Sequence, residues 1–265
     1  MAIKTVIFDL DGTIYQNNEF HRDYIHFLLE GSDKTDWEDA LVAYVDEVYR
    51  GRGLVMNAFY DGREIPAQSP AELFRAMEAA RLPDSAQDEG VYLGDAWAVV
   101  TFIGSVLGLL RGTRADEIYK KTRDKMSLDG MRGNVRLRQA ILALKQTHRT
   151  VLMTNSYRQT AEDFLRQLDF ENVFDCIVFS AGKPWQAVEN LKKSCPEITT
   201  EPETFLTVGD NAFNDLTPFR ALGCKTLWVN PFTDIHEPKY DYSVKTLEEL
   251  AQFLEALYRK SNRLL

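Results

Sequence analysis

Short apolar runs that end abruptly in polar residues recur along this chain, and their spacing divides it into three stretches. The first run, Val6-Ile7-Phe8, closes on Asp9-Leu10-Asp11-Gly12-Thr13 and predicts a buried strand. From about residue 20 to 126 the apolar positions fall at helical spacing, as in Tyr24, Phe27, Leu28 and again in Leu41, Tyr44, Val45, Val48. Sheet-like alternation is missing there, so the stretch predicts helices. Ser69-Pro70-Ala71-Glu72 supplies an N-cap, a proline at the first helical position and an acidic first turn, which predicts a helix through Leu73, Phe74 and Met77. A further helix is predicted over 115–126.

Beyond Asn134 the two patterns alternate. Helices are predicted over 137–145, 160–168, 185–193, 215–222 and 247–258, and strands over 150–153, 176–179, 205–208 and 226–229. Alternation of this kind implies parallel strands joined by right-handed crossovers. The fold class is therefore α/β, a doubly wound parallel sheet with an inserted all-helical domain. Residues 1–16 and 130–265 are expected to form the core, and 17–129 the insertion. Residues 96–110 are uncharged, but they fall short of the roughly 20 residues that span a bilayer. They read as a buried helix in which Gly104 and Gly108 let a neighbouring helix approach closely.

Composition changes the picture mainly through charge. The 265 residues are 45% hydrophobic and 27% charged, an ordinary globular balance with a net charge of −9. Residues 17–129 hold 13 basic and 21 acidic side chains, so the insertion carries nearly all of the excess. An acidic surface suits neither nucleic acid nor an anionic membrane, because both are bound by Lys and Arg. An anionic substrate must then be captured locally. Cys176, Cys195 and Cys224 are too few and too irregularly spaced for a disulfide framework or a zinc site, which fits a reducing cytoplasm. The first apolar run is short and interrupted by Asp9, so neither a signal peptide nor an anchor is expected. Oligomeric state leaves no signature.

The candidate chemistry lies at the ends of the predicted strands. Positions i and i+2 of a strand project to one side, so Asp9 and Asp11 can address one small ligand. Two carboxylates there repel and need a proton or a cation between them. Magnesium relieves that repulsion and attracts phosphate oxygens. Val151-Leu152-Met153 is followed by Thr154-Asn155-Ser156, and Val178-Phe179-Ser180 leads to Gly182-Lys183-Pro184. Phe205-Leu206-Thr207-Val208 runs into Gly209-Asp210-Asn211-Ala212-Phe213-Asn214-Asp215. Ligands of doubly wound sheets bind beyond the carboxyl ends of the strands, so these four polar sets should converge.

The segments FDLDGT, LMTN, GKP and GDNAFND, in that order, resemble the four motifs of the haloacid dehalogenase superfamily of phosphotransferases. The helical insertion between the first two resembles the cap of many small-molecule phosphatases in that superfamily. The resemblance implies a Rossmann-like core and a magnesium-dependent phosphatase acting on a small phosphorylated metabolite. A sugar-phosphate phosphomutase would share the chemistry, and a non-catalytic binding protein would keep only the fold. Asp9 is implied as the nucleophile that forms an aspartyl-phosphate, and Asp11 as the acid and base serving the leaving alcohol and the attacking water. Dehalogenation has no alcohol to protonate, so Asp11 argues against it. Thr154 and the backbone N–H of Asn155 would hold phosphoryl oxygens, with Lys183 offsetting negative charge. Magnesium would sit between Asp9, the main-chain carbonyl of Asp11 and Asp210, with Asp215 either completing the shell or orienting Lys183. In the insertion, His21 and His26 are expected to be partly exposed. Trp37, Tyr44, Tyr49, Phe59, Tyr60, Trp97 and Phe102 should pack it. Tyr15 and Gln16 are expected near the cap entrance.

Overall fold

A computed structural model describes residues 2–17, 19–84, 90–232, 236 and 238–262. The chain opens with β1 (Thr5–Phe8) and continues through α1 (Phe20–Leu29), α2 (Glu38–Tyr49), β2 (Phe59–Tyr60), α3 (Pro70–Ala79), β3 (Val91–Tyr92), α4 (Ala96–Val106) and α5 (Arg114–Leu128). There follow α6 (Val135–Leu144), β4 (Arg149–Met153), α7 (Arg158–Gln167), β5 (Cys176–Val178), α8 (Ala187–Lys192) and β6 (Phe205–Gly209). The last elements are α9 (Thr217–Leu222), β7 (Lys225–Val229), β8 (Tyr242–Val244) and α10 (Leu247–Asn262). Two compact units result: Met1–Gln16, Gly130–Pro231 and Lys239–Leu265 form the first, Asn17–Asp129 and Phe232–Pro238 the second. Phe232, His236 and Pro238, expected in the core, group with the second unit.

The first unit is built on a parallel six-stranded sheet in the order β5-β4-β1-β6-β7-β8. Phe8 at the end of β1 pairs with Leu152 of β4 and Val208 of β6, so three strands end level with one another. Connections leave this centre in opposite directions, towards β5 on one side and β8 on the other. That reversal opens a crevice at the carboxyl ends. Strand residues are apolar because helices cover them: Ile7, Val151, Met153 and Phe205 share a core with Ala187 and Leu191 of α8 and Phe219 of α9. Asn134 starts α6 as its N-cap, with Oδ1 accepting the N–H of Leu137 at 2.9 Å.

The second unit is mainly helical. Its helices begin where the side chains dictate: Ser69 accepts the N–H of Glu72 ahead of Pro70 in α3, and Asp95 accepts the N–H of Ala98 in α4. Tyr44 stacks on Phe74 and Phe20 on Trp97, which fills the interior with the expected aromatics. Three expectations need correction. The insertion is not all-helical, since β2 and β3 form an antiparallel ladder pairing Phe59 with Tyr92; two-residue strands are too short for a period of two to register. The helix starting at Ala96 stops at Val106, because Gly108 takes a left-handed φ of +69° and faces Glu64 rather than a helix. Gly104 does sit close to Leu28 of α1. His21 is buried, with Nε2 3.0 Å from Asp46, whereas His26 is exposed. Among the described residues no helix is long and apolar enough to cross a membrane.

Candidate active site

Each motif is fixed by the strand before it. Asp9 continues β1, and its N–H donates to the carbonyl of Val208 at 2.9 Å. The chain then turns back, with the N–H of Ile14 donating to Leu10 O at 2.9 Å. Gly12 lies in this turn at φ +75°, and a Cβ there would come 1.9 Å from Oδ2 of Asp210. Only glycine allows both the turn and that approach. Asp210 follows β6, and its carbonyl accepts the indole N–H of Trp228 in β7 at 2.8 Å. One turn of π-helix, Ala212–Leu216, brings Asp215 back beside Gly209.

Lys183 joins these loops. Its Nζ donates to Oδ1 of Asp9 at 2.5 Å and to Oδ1 of Asp215 at 2.6 Å, and all three groups are buried. Asn155 holds the lysine's backbone from the loop after β4, its Oδ1 accepting the Lys183 N–H at 2.8 Å and its Nδ2 donating to the Lys183 carbonyl at 3.1 Å. Its side chain thus positions Lys183, leaving the backbone N–H as the group expected to face phosphate. Thr154 is buried; its oxygen accepts the N–H of Ser156 at 3.1 Å, which leaves the O–H to donate elsewhere.

Asp9, Asp210 and Asp215 each offer an oxygen within 4.8 Å of the others. Burial pushes the Asp9 carboxyl up to about 8, the pull of Lys183 being opposed by repulsion from Asp215 and Asp11. Burial also raises Asp215 against the same lysine. Burial works against charge on Lys183, yet Asp215 and Asp9 outweigh it and hold its pKa above the usual lysine value. One ammonium cannot balance three buried carboxylates. Hard oxygen donors at this spacing suit a divalent cation such as magnesium, so the residues fit the expected metal. Asp215 lies within the three-acid cluster and also accepts from Lys183, a geometry that fits either of the two roles left open by the sequence.

The carboxylate of Asp11 stands outside the three-acid set. Its Oδ1 accepts the phenol of Tyr15 and its Oδ2 the hydroxyl of Ser156 at 3.3 Å. Tyr15 therefore belongs to the site itself. Both partners were visible in sequence beside the motifs, but their pairing with Asp11 was not: Tyr15, four residues on, meets it through the turn after β1, and Ser156 meets it from the distant loop after β4.

A family model described as haloacid dehalogenase-like hydrolase matches residues 3–223. The chain is 22% identical over 263 residues to the glyceraldehyde 3-phosphate phosphatase of Methanocaldococcus jannaschii, covering 96% of this chain and 98% of that protein. Among solved structures, the HAD-hydrolase YfnB of Bacillus subtilis, whose crystals contain magnesium, aligns with a TM-score of 0.57 at 20% identity, over 96% of this chain and 99% of that one. A haloacid dehalogenase-like family hydrolase from Xanthomonas campestris aligns with a TM-score of 0.52 at 18% identity, over 100% and 95% of the two chains. At these identities the two structures attest the fold.

Proposed function

The chain belongs to the haloacid dehalogenase-like hydrolases, and on that premise we propose that it is a magnesium-dependent phosphatase of a small phosphorylated metabolite, working through an aspartyl-phosphate. The observation that carries this reading is the buried contact of Asp9 with Lys183 beside Asp210 and Asp215. Asp9 is the nucleophile: its carboxylate oxygen bonds to phosphorus as the ester oxygen departs. Asp11 gives its proton to that oxygen, then accepts one from the water that releases the phosphate. Thr154 and the N–H of Asn155 hold phosphoryl oxygens, and Lys183 keeps Asp9 oriented while offsetting charge. Asp9, Asp210, Asp215 and the main-chain carbonyl of Asp11 would hold the magnesium ion, which would supply positive charge for the phosphoryl group.

The phosphatase of Methanocaldococcus jannaschii supports a phosphomonoester substrate, and the magnesium of the Bacillus subtilis hydrolase supports the metal. The second unit is assigned the part of a substrate-selecting cap. Three free thiols support a cytoplasmic setting. The test is phosphate release from a panel of sugar phosphates, nucleotides and phosphoglycolate, with magnesium and with chelator. Turnover should require magnesium and disappear in Asp9→Asn, whose circular dichroism stays native. Substantial residual activity in that variant would rule out the covalent route, and isomerisation without phosphate release would identify a mutase.

A further inference from the structure

Asp11 is gripped from two sides. Tyr15 reaches it across the turn after β1, and Ser156 reaches it from the loop after β4, each hydroxyl on a different carboxylate oxygen. The phenol cannot swing away, because Tyr15 is buried and its ring stacks on Phe164 of α7 at 5.7 Å with the planes 4° apart. Phe164 is itself buried in the core. The loop bearing Tyr15 is closed by the Ile14 to Leu10 hydrogen bond, so the backbone beneath the ring is also fixed. A carboxyl group that must deliver a proton along one direction gains most from such a clamp.

We propose that Tyr15 is the positioning residue for the acid and base of this site: it fixes Oδ1 of Asp11 so that Oδ2, beside the small hydroxyl of Ser156, is the oxygen that exchanges the proton. The inference rests on the assignment of Asp11 as acid and base. In the first step, Oδ2–H of Asp11 gives its proton to the ester oxygen as the bond from that oxygen to phosphorus breaks and the Asp9 oxygen bonds to phosphorus. In the second, water bonds to phosphorus, its proton returns to Oδ2, and Asp9 is released as carboxylate. A serine hydroxyl can donate to the carboxylate and accept from the acid, so Ser156 accompanies both states. A phenol fixed on Oδ1 leaves only one oxygen for the transfer.

The experiment compares leaving groups. Tyr15→Phe keeps the ring and its stacking on Phe164 and removes only the hydroxyl. The magnesium-loaded full-length enzyme, Tyr15→Phe and Asp11→Asn are each assayed on an alkyl phosphate, whose alcohol must be protonated, and on p-nitrophenyl phosphate, whose phenolate departs unaided. Thermal melting checks the fold. Asp11→Asn should lose much more kcat/KM on the alkyl ester than on the aryl ester, since the second step is common to both. Tyr15→Phe should repeat that asymmetry in smaller measure, with an alkyl loss of about tenfold, at least several-fold beyond its aryl loss, and little change in KM. Equal losses on both esters, or none, in Tyr15→Phe while Asp11→Asn keeps the asymmetry would overturn the positioning role alone. No asymmetry in Asp11→Asn would overturn the acid assignment and the positioning role with it.

Discussion

Asp9 occupies the most demanding position in the molecule, a carboxylate pushed up to about 8 by burial although Lys183 touches it. The ordinary value is 3.8. Between these limits the folded protein holds a proton that the unfolded chain has released, so the metal-free protein loses stability as pH rises from about 4 to about 8. A divalent cation relieves the same repulsion without the proton. Magnesium should therefore raise the melting temperature more at pH 8 than at pH 5, and Asp9→Asn should flatten the dependence of the metal-free protein on pH. A metal-free melting temperature that climbs across this range, with an equal magnesium shift at both ends, would contradict the electrostatic account.

At the scale of elements, legibility followed burial and length. The core strands β4, β6 and β7 are buried along nearly their whole length and were readable as apolar runs, with polar residues at their carboxyl ends. Strand β8 was not, because as an exposed edge strand it carries no apolar signal. The π-turn after Asp210 was equally hidden, since its spacing looks like the start of α9. The cap at Ser69 was legible because proline and an acidic first turn follow it. Asn134 was not read as a cap, yet it starts α6, and Asn134→Ala should cost about 1 kcal/mol in stability by losing the bond to the Leu137 N–H. Urea unfolding reads that loss, and KM for substrate should not move, because α6 supplies no group to the site.

Across the whole molecule, the seven residues singled out from the motifs, Asp9, Asp11, Thr154, Asn155, Lys183, Asp210 and Asp215, all lie in the first unit. Their order along the chain was enough to anticipate convergence, because the ends of β1, β4 and β6 are level. How the groups pair was not. The contact between Asp215 and Lys183, and the Ser156 hydroxyl on Asp11, arise from side chains far apart in sequence, whose contacts depend on rotamers and loop turns. The second unit showed the limit more sharply: its helical character was plain, but His21, expected to be partly exposed, is buried against Asp46.

The covalent step at Asp9 can be observed directly by acid-quenching the magnesium-loaded enzyme during turnover, trapping with borohydride and mapping the tryptic peptide 5–22. The account predicts a phosphoryl group on Asp9 that appears before free phosphate accumulates, seen as conversion of that residue to homoserine. Steady phosphate release with Asp9 unmodified at every quench time, or with the label on another residue, would contradict it.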